Sequence, residues 1–313
     1  MFDIETYKIL EIKTGSHLYG TNTPESDVDY CGVFIAPINY YFGLDIIKEA
    51  DCSIVNKLES GKNSKEAVDR KFYEIRNFTK LAIENNPNLL EVLFVNKENI
   101  IYNSYLGGIL LANKHLFPWK GLKEKYLGYS ISQQKKMLVK SGNMKDLKNG
   151  LDFLMYLQKN ELSKYIFEVE SNLLSIFKDN GNQHLKLGDI YIQKNITIRK
   201  AIEQIQGRVD KFGNRKELVD EYGFDTKFAA HCVRLLSEGK DLLETGEIVF
   251  PLKQRELLLE IRNGKYSLDE VNEMIESGKS ELEKSYVHSS LPSKPRYKEI
   301  NDLLVNMMDN RFC

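Results

Sequence analysis

Short apolar-rich runs at residues 8–14 and 28–36 have the length and polar flanks of β-strands, and Pro37 closes the second. A weaker run covers 52–56, and a fourth, 68–73, follows the charged stretch 59–66. Phe72, Ile75, Phe78, Leu81 and Ala82 then recur at helical spacing. That predicts a helix stopping at Asn85-Asn86-Pro87, since the residue before a proline is pushed out of the helical region. From about residue 98 the pattern turns helical, with segments predicted at 104–116, 122–139, 145–158, 162–177, 197–209, 227–245, 253–263 and 268–285. Gly246 and Gly264 are natural helix stops. The polar run 178–184 reads as a loop, and the Pro-rich stretch 289–295 as a connector before a last short helix. Strands mixed with helices and then helices alone predict an α/β (α+β) core with a small mixed sheet over residues 1–97. A helical domain follows over 98–313.

Composition narrows the class. The 313-residue chain is 42% hydrophobic and 28% charged, values that support a buried core in one large or two ordinary domains. Its net charge of −1 supplies no overall field toward nucleic acid or membrane, so any polyanion must meet a local patch. No apolar run approaches the ~20 residues of a bilayer span, and the N-terminal residues are acidic where a signal peptide is basic. Cys31, Cys52, Cys232 and Cys313 show no paired metal-ligand spacing. These features lead us to expect a cytoplasmic protein with reduced thiols.

The chemistry concentrates near the N-terminus. Gly15-Ser16 is followed, after a spacer, by Asp27-Val28-Asp29 at the start of the second predicted strand. Alternate strand residues share a face, so Asp27 and Asp29 project together. Two convergent carboxylates repel unless a cation lies between them, which points to a divalent metal; the rival reading is a solvated turn. The Gly15-Ser16 turn offers N–H groups and a hydroxyl to phosphate oxygens, though Ser16 can equally cap a short helix. Together these residues suit a metal-bound nucleoside triphosphate. Farther on, Lys227, His231 and Arg234 fall at i, i+4 and i+7, on one helix face. Residues 120–148 hold eight lysines, among them Lys120, Lys123, Lys125, Lys135 and Lys136, against Glu124 and Asp146. With Tyr126 and Tyr129 interleaved, that segment is either a surface for single-stranded RNA or a solvated helix.

The Gly-Ser, spacer, Asp-apolar-Asp arrangement resembles the signature of the DNA-polymerase-β-like nucleotidyltransferase superfamily. The stretches DRKFYEIRNFTKLA (69–82), NPNLLEVLF (86–94), KFAAHCVRLL (227–236), LLETG (242–246) and RELLLEIRNG (255–264) are similar to its RNA-ligase-associated branch, which includes phage members. His17 stands where many relatives carry Arg, so no phosphate contact is carried over to it. The resemblance implies a metal-dependent enzyme that moves an NMP from an NTP to an acceptor hydroxyl and releases pyrophosphate. It implies Mg2+ or Mn2+ held by Asp27, Asp29 and a third carboxylate. Asp69 matches the family block for that role, and Glu74 is the alternative. Gly15, Ser16, Lys227, His231 and Arg234 are expected to contact nucleotide or acceptor. An RNA end, a tRNA 3′ end included, is the expected acceptor; a protein hydroxyl or a small molecule are rivals. A non-catalytic, antitoxin-like nucleotide-binding module is a reading of a different class, disfavoured because both aspartates are intact.

Overall fold

Ile9, Leu10 and Ile12 are all buried in strand β1 (Lys8–Thr14), so the strand is covered on both faces and its apolar residues need not alternate. The computed structural model describes residues 2–24, 26–54, 68–169, 176–179, 183–210, 219 and 221–312. In it β1 joins β2 (Asp29–Phe34), β3 (Glu49–Asp51), β4 (Asp69–Glu74) and β5 (Ile100–Asn103) in a sheet of order β3-β4-β2-β1-β5. β2 and β4 run parallel, whereas β1·β2, β1·β5 and β3·β4 are antiparallel, so the sheet is mixed, as expected. A parallel pair needs a crossover, and the chain between Phe34 and Asp69 supplies it.

The chain divides into two compact units, Met1–Ser132 with Ala230–Cys313, and Gln133–Ala229. In the first, helices α1 (Ile4–Tyr7), α2 (Gly15–Tyr19) and α3 (Asn39–Phe42) are one turn each. Helix α4 (Ile75–Ile83) ends before Asn85, and α5 (Pro87–Leu93) starts with Pro87 at its first position and Asn86 as its cap. α6 (Tyr105–Ala112) follows β5. Helix α7 (Leu122–Lys159), which carries residues of both units, is a single 38-residue helix where two were expected; the gap at 140–144 is helical backbone.

In the second unit, β6 (Lys178–Asp179), β7 (His184–Leu187) and β8 (Ile190–Gln193) form an antiparallel sheet that the helical reading of this region missed. The expected helix at 162–177 is also absent from the described residues there, which hold one 3-10 turn, Ile166–Glu168. Leu185, Leu187 and Ile192 pack in one apolar cluster with Leu154 of α7 and Ile198, Ala201 and Ile205 of α8 (Ile198–Asp210).

Helix α9 (Thr226–Thr245) carries residues of both units. α10 (Arg255–Arg262), α11 (Leu268–His288) and α12 (Tyr297–Phe312) complete the first. Gly246 and Gly264 end their helices with φ of +75 and +70, as their positions in the sequence suggest. The last helix returns to the N-terminal region: the Tyr41 and Phe312 rings meet edge to face at 5.5 Å.

The third strand differs from expectation. It lies at Glu49–Asp51 rather than 52–56, because its pairing with Lys71–Tyr73 of β4 depends on backbone and not on an apolar run. Ile54 makes only an isolated bridge with Val68, and residues 55–56 lie outside the described residues. β5, inside the stretch read as helical, is too short for its alternation to register.

Candidate active site

Three strand ends meet at one edge of the sheet. β1 finishes at Thr14, which pairs with Asp29 at the start of β2, and Asp29 pairs in turn with Asp69 at the start of β4. Directly paired residues on neighbouring strands share a face, so the Asp29 and Asp69 carboxylates project side by side. Asp27 sits two residues earlier, exposed, in the segment leading into β2. Burial raises the pKa of the half-buried Asp29, the negative charges of Asp69 and Asp27 raise it further, and His17 opposes them. Asp29 therefore feels both neighbouring carboxylates. Among the described residues, no three His, Cys, Asp or Glu side chains are drawn into a preformed metal cluster.

The turn after β1 is shaped around Asp29. Gly15 has φ +63, and a Cβ placed on it would stand 2.7 Å from Asp29 Oδ2. Only glycine lets the backbone lie this close to the carboxylate with that φ. Ser16 follows in α2, and Gly20, in the left-handed conformation, ends the turn with its N–H on the Ser16 carbonyl. The donor set is all carboxylate oxygen, set against a turn with no room for a side chain. Such a set fits a hard divalent cation such as Mg2+.

Glu74 stands at the other end of β4. Its carboxylate accepts from the Arg76 and Asn77 N–H groups and from the Tyr41 hydroxyl at 2.8 Å, so it caps α4. Asp69 has a partner the sequence did not suggest: Ser53 Oγ donates to it at 3.3 Å while accepting from the Arg70 N–H at 3.0 Å. Cys31, on the same face as Asp29, is a free thiol that burial pushes up to about 12.

The proposed contacts on α9 have different surroundings. Lys227 is exposed and belongs to the Gln133–Ala229 unit. His231 is exposed, with Nδ1 3.5 Å from Arg234 Nη2. Arg234 is buried at 5% exposure, and its Nη1 donates to Glu91 and to both Glu238 oxygens at 2.9 and 3.0 Å. In the basic segment, Tyr126 is fully buried, which corrects its reading as a base-stacking ring. Tyr129 is 37% exposed, and its hydroxyl accepts from Asn86. Lys123 is paired with Glu283 at 2.8 Å, whereas Lys135 and Lys136 are exposed.

Ser53, Glu91 and Glu238 are the residues that sequence reasoning passed over. Glu91 carries a legible signal, a lone carboxylate inside the apolar run of α5. Among the described residues, no helix is long and apolar enough to cross a membrane.

The chain resembles known proteins along nearly its whole length. A family model described as RlaP, RNA repair pathway DNA polymerase beta family, matches residues 5–306. A protein of Enterobacteria phage T4, described as an uncharacterized 38.9 kDa protein, is 25% identical over 308 residues, covering 88% of each chain. A crystal structure of a nucleotidyltransferase-like protein from Exiguobacterium sibiricum 255-15 is 10% identical, covering 90% of this chain and 69% of the other. Its TM-score of 0.26 is too low to bear on fold or site.

Proposed function

Because the chain belongs to the RNA repair pathway DNA polymerase beta family, we propose that it is a metal-dependent nucleotidyltransferase that moves an NMP from an NTP to a hydroxyl on RNA. The observation that carries this reading is the parallel register of Asp29 with Asp69, with Asp27 two residues ahead and Gly15 flush against the Asp29 carboxylate. Asp27, Asp29 and Asp69 would hold Mg2+ or Mn2+. Such ions neutralise the triphosphate and acidify the attacking hydroxyl. Gly15 N–H and the Ser16 hydroxyl meet phosphate oxygens, which fixes the α-phosphate in front of the carboxylates. Asp69, held by Ser53, lies beside the acceptor hydroxyl and favours loss of its proton. The hydroxyl oxygen bonds to the α-phosphorus, the α–β bridging bond breaks, and pyrophosphate leaves. His231, exposed on α9 within the same unit as the carboxylates, is offered to triphosphate or acceptor. In this division of labour residues 1–97 carry the chemistry and the phosphate contacts of the Gly15–Ser16 turn, and 98–313 the remaining nucleotide and acceptor contacts. A cytoplasmic setting, where NTP and RNA are both at hand, suits the reaction.

The test is incubation with each of the four α-labelled NTPs, Mg2+ or Mn2+, total RNA and cell lysate. Label on RNA supports the reading, and a tRNA band identifies the substrate class. Label on a protein band alone overturns the RNA acceptor and keeps the chemistry. Label on nothing, with NTP still bound, favours a non-catalytic nucleotide-binding module.

A further inference from the structure

The Gly15–Ser16 turn is tied to a buried ionic cluster. Tyr19, the last residue of α2, donates its hydroxyl to Glu91 Oε2 at 2.7 Å. The other Glu91 oxygen accepts from Arg234, whose Nη1 also serves both Glu238 oxygens. The Arg234 guanidinium lies over the Tyr19 ring, 4.4 Å from its centroid. Exposures are 9% for Tyr19, 3% for Glu91, 5% for Arg234 and 0% for Glu238. Two carboxylates share one guanidinium. Burial holds Glu238 above the ordinary carboxylate range, and Glu91 adds to that against the pull of Arg234.

Stability alone is a weak reason for such a cluster, since well-packed apolar residues commonly serve a core at least as well. Its placement gives a better one. Tyr19 sits four residues after Gly15, where any Cβ would collide with the Asp29 carboxylate. The backbone leaving the turn is gripped as well. The Tyr19 carbonyl accepts from the Leu252 N–H at 3.1 Å, and the Thr21 carbonyl from Arg262 at 3.2 Å. Arg234 itself is not available to a phosphate at the surface. Nη1 is spent on carboxylates, and Nε is buried without a partner.

We infer that Tyr19, Glu91 and Arg234 form a strut that fixes the Gly15–Ser16 turn for the triphosphate, so that Arg234 is a positioning residue and not a phosphate ligand. This rests on the nucleotidyltransferase reading above. The strut sets nucleotide affinity through a turn that none of its charged groups touches with ligand.

The test uses Tyr19→Phe, which keeps the ring and removes one donor, and Arg234→Lys, which keeps the charge and loses the planar fork. Melting temperature, steady-state kinetics and calorimetric binding of a non-hydrolysable Mg·ATP analogue are measured for both. KM for NTP and the analogue Kd should rise about tenfold in Tyr19→Phe, the worth of one hydrogen bond to a charged group. The KM for the acceptor should not change, and kcat should hold within about twofold, since a deficit in uniform binding leaves kcat alone. Arg234→Lys should weaken the analogue despite its retained charge. A lower Tm with unchanged analogue affinity in Tyr19→Phe would reduce the cluster to a structural role and overturn the inference. Full affinity in Arg234→Lys with lost affinity in Arg234→Met would restore Arg234 as a charge contact and overturn it too. If the wild type binds no nucleotide, the functional reading fails first and the strut falls with it.

Discussion

Gly15→Ala separates the stability of the site turn from its chemistry. The variant must hold φ near +63, a region that costs a residue with a Cβ roughly 1–2 kcal/mol. Its new methyl also starts 2.7 Å from Asp29 Oδ2, so the carboxylate must retreat by several tenths of an ångström to reach ordinary contact. Asp29 is a short side chain at the start of a strand and can turn aside at little cost to the fold, but its place opposite Asp69 is then lost. Gly246→Ala is the matched control. It pays the same backbone cost at φ +75, and its nearest neighbour is Leu291 Cδ2 at 3.8 Å. In a chain this large ~1 kcal/mol shifts Tm by about 2 °C, so both variants should melt roughly 2–4 °C lower. Activity should split them. Gly246→Ala should stay near wild type, whereas Gly15→Ala should lose roughly 10²-fold, the usual consequence of misplacing a reacting group by an ångström. Scanning calorimetry beside an NTP-transfer assay reads both quantities. Equal activities in the two variants, at equal Tm loss, would refute the claim that the Asp29 carboxylate is the group Gly15 exists to accommodate.

Three further outcomes follow from the same geometry. Asp29 has a native pKa above its unfolded value, so its own contribution to stability is fully present below the ordinary Asp range and is lost as pH rises through the raised value. Asp29→Asn removes that loss and should melt at or above wild type at pH 7 without metal; a Tm–pH series that puts it below wild type contradicts the repulsion account. Ser53→Ala frees the Asp69 carboxylate and should cost roughly tenfold in activity at fixed Mg2+, the low end for an outer-shell partner; an unchanged Mg2+ titration would remove Ser53 from the site. If Lys135 and Lys136 neutralise RNA phosphates, replacing both with Ala should reduce the log–log salt slope of RNA binding by about 1–1.5; identical slopes would exclude this stretch of α7.

The carboxylate-bearing edge was largely legible because it rests on local rules. The β1 bounds and the α4 stop before Asn85 follow from period and turn chemistry. What pairs with Asp29 was not local. The parallel register with Asp69 joins strands far apart in sequence, and only the family block pointed there. Arg234 shows the opposite failure. Spacing put it on one helix face with Lys227 and His231, but that face turns inward at Arg234, where Glu91 and Glu238 await it. The β7–β8 hairpin is written in the sequence as alternating apolar residues around Gly188-Asp189, and the polar run before it hides the signal.

The central claim is that Asp29 and Asp69 act together as one metal-dependent transfer centre. Its most direct measurement is incorporation of α-labelled NTP into RNA with saturating Mg2+ by wild type, Asp29→Asn, Asp69→Asn and the double variant, each checked for native melting. The account predicts that either single variant loses transfer by orders of magnitude and that the double loses little more, because residues acting as a unit are not additive. A folded Asp29→Asn or Asp69→Asn enzyme that labels RNA at the wild-type rate would contradict it.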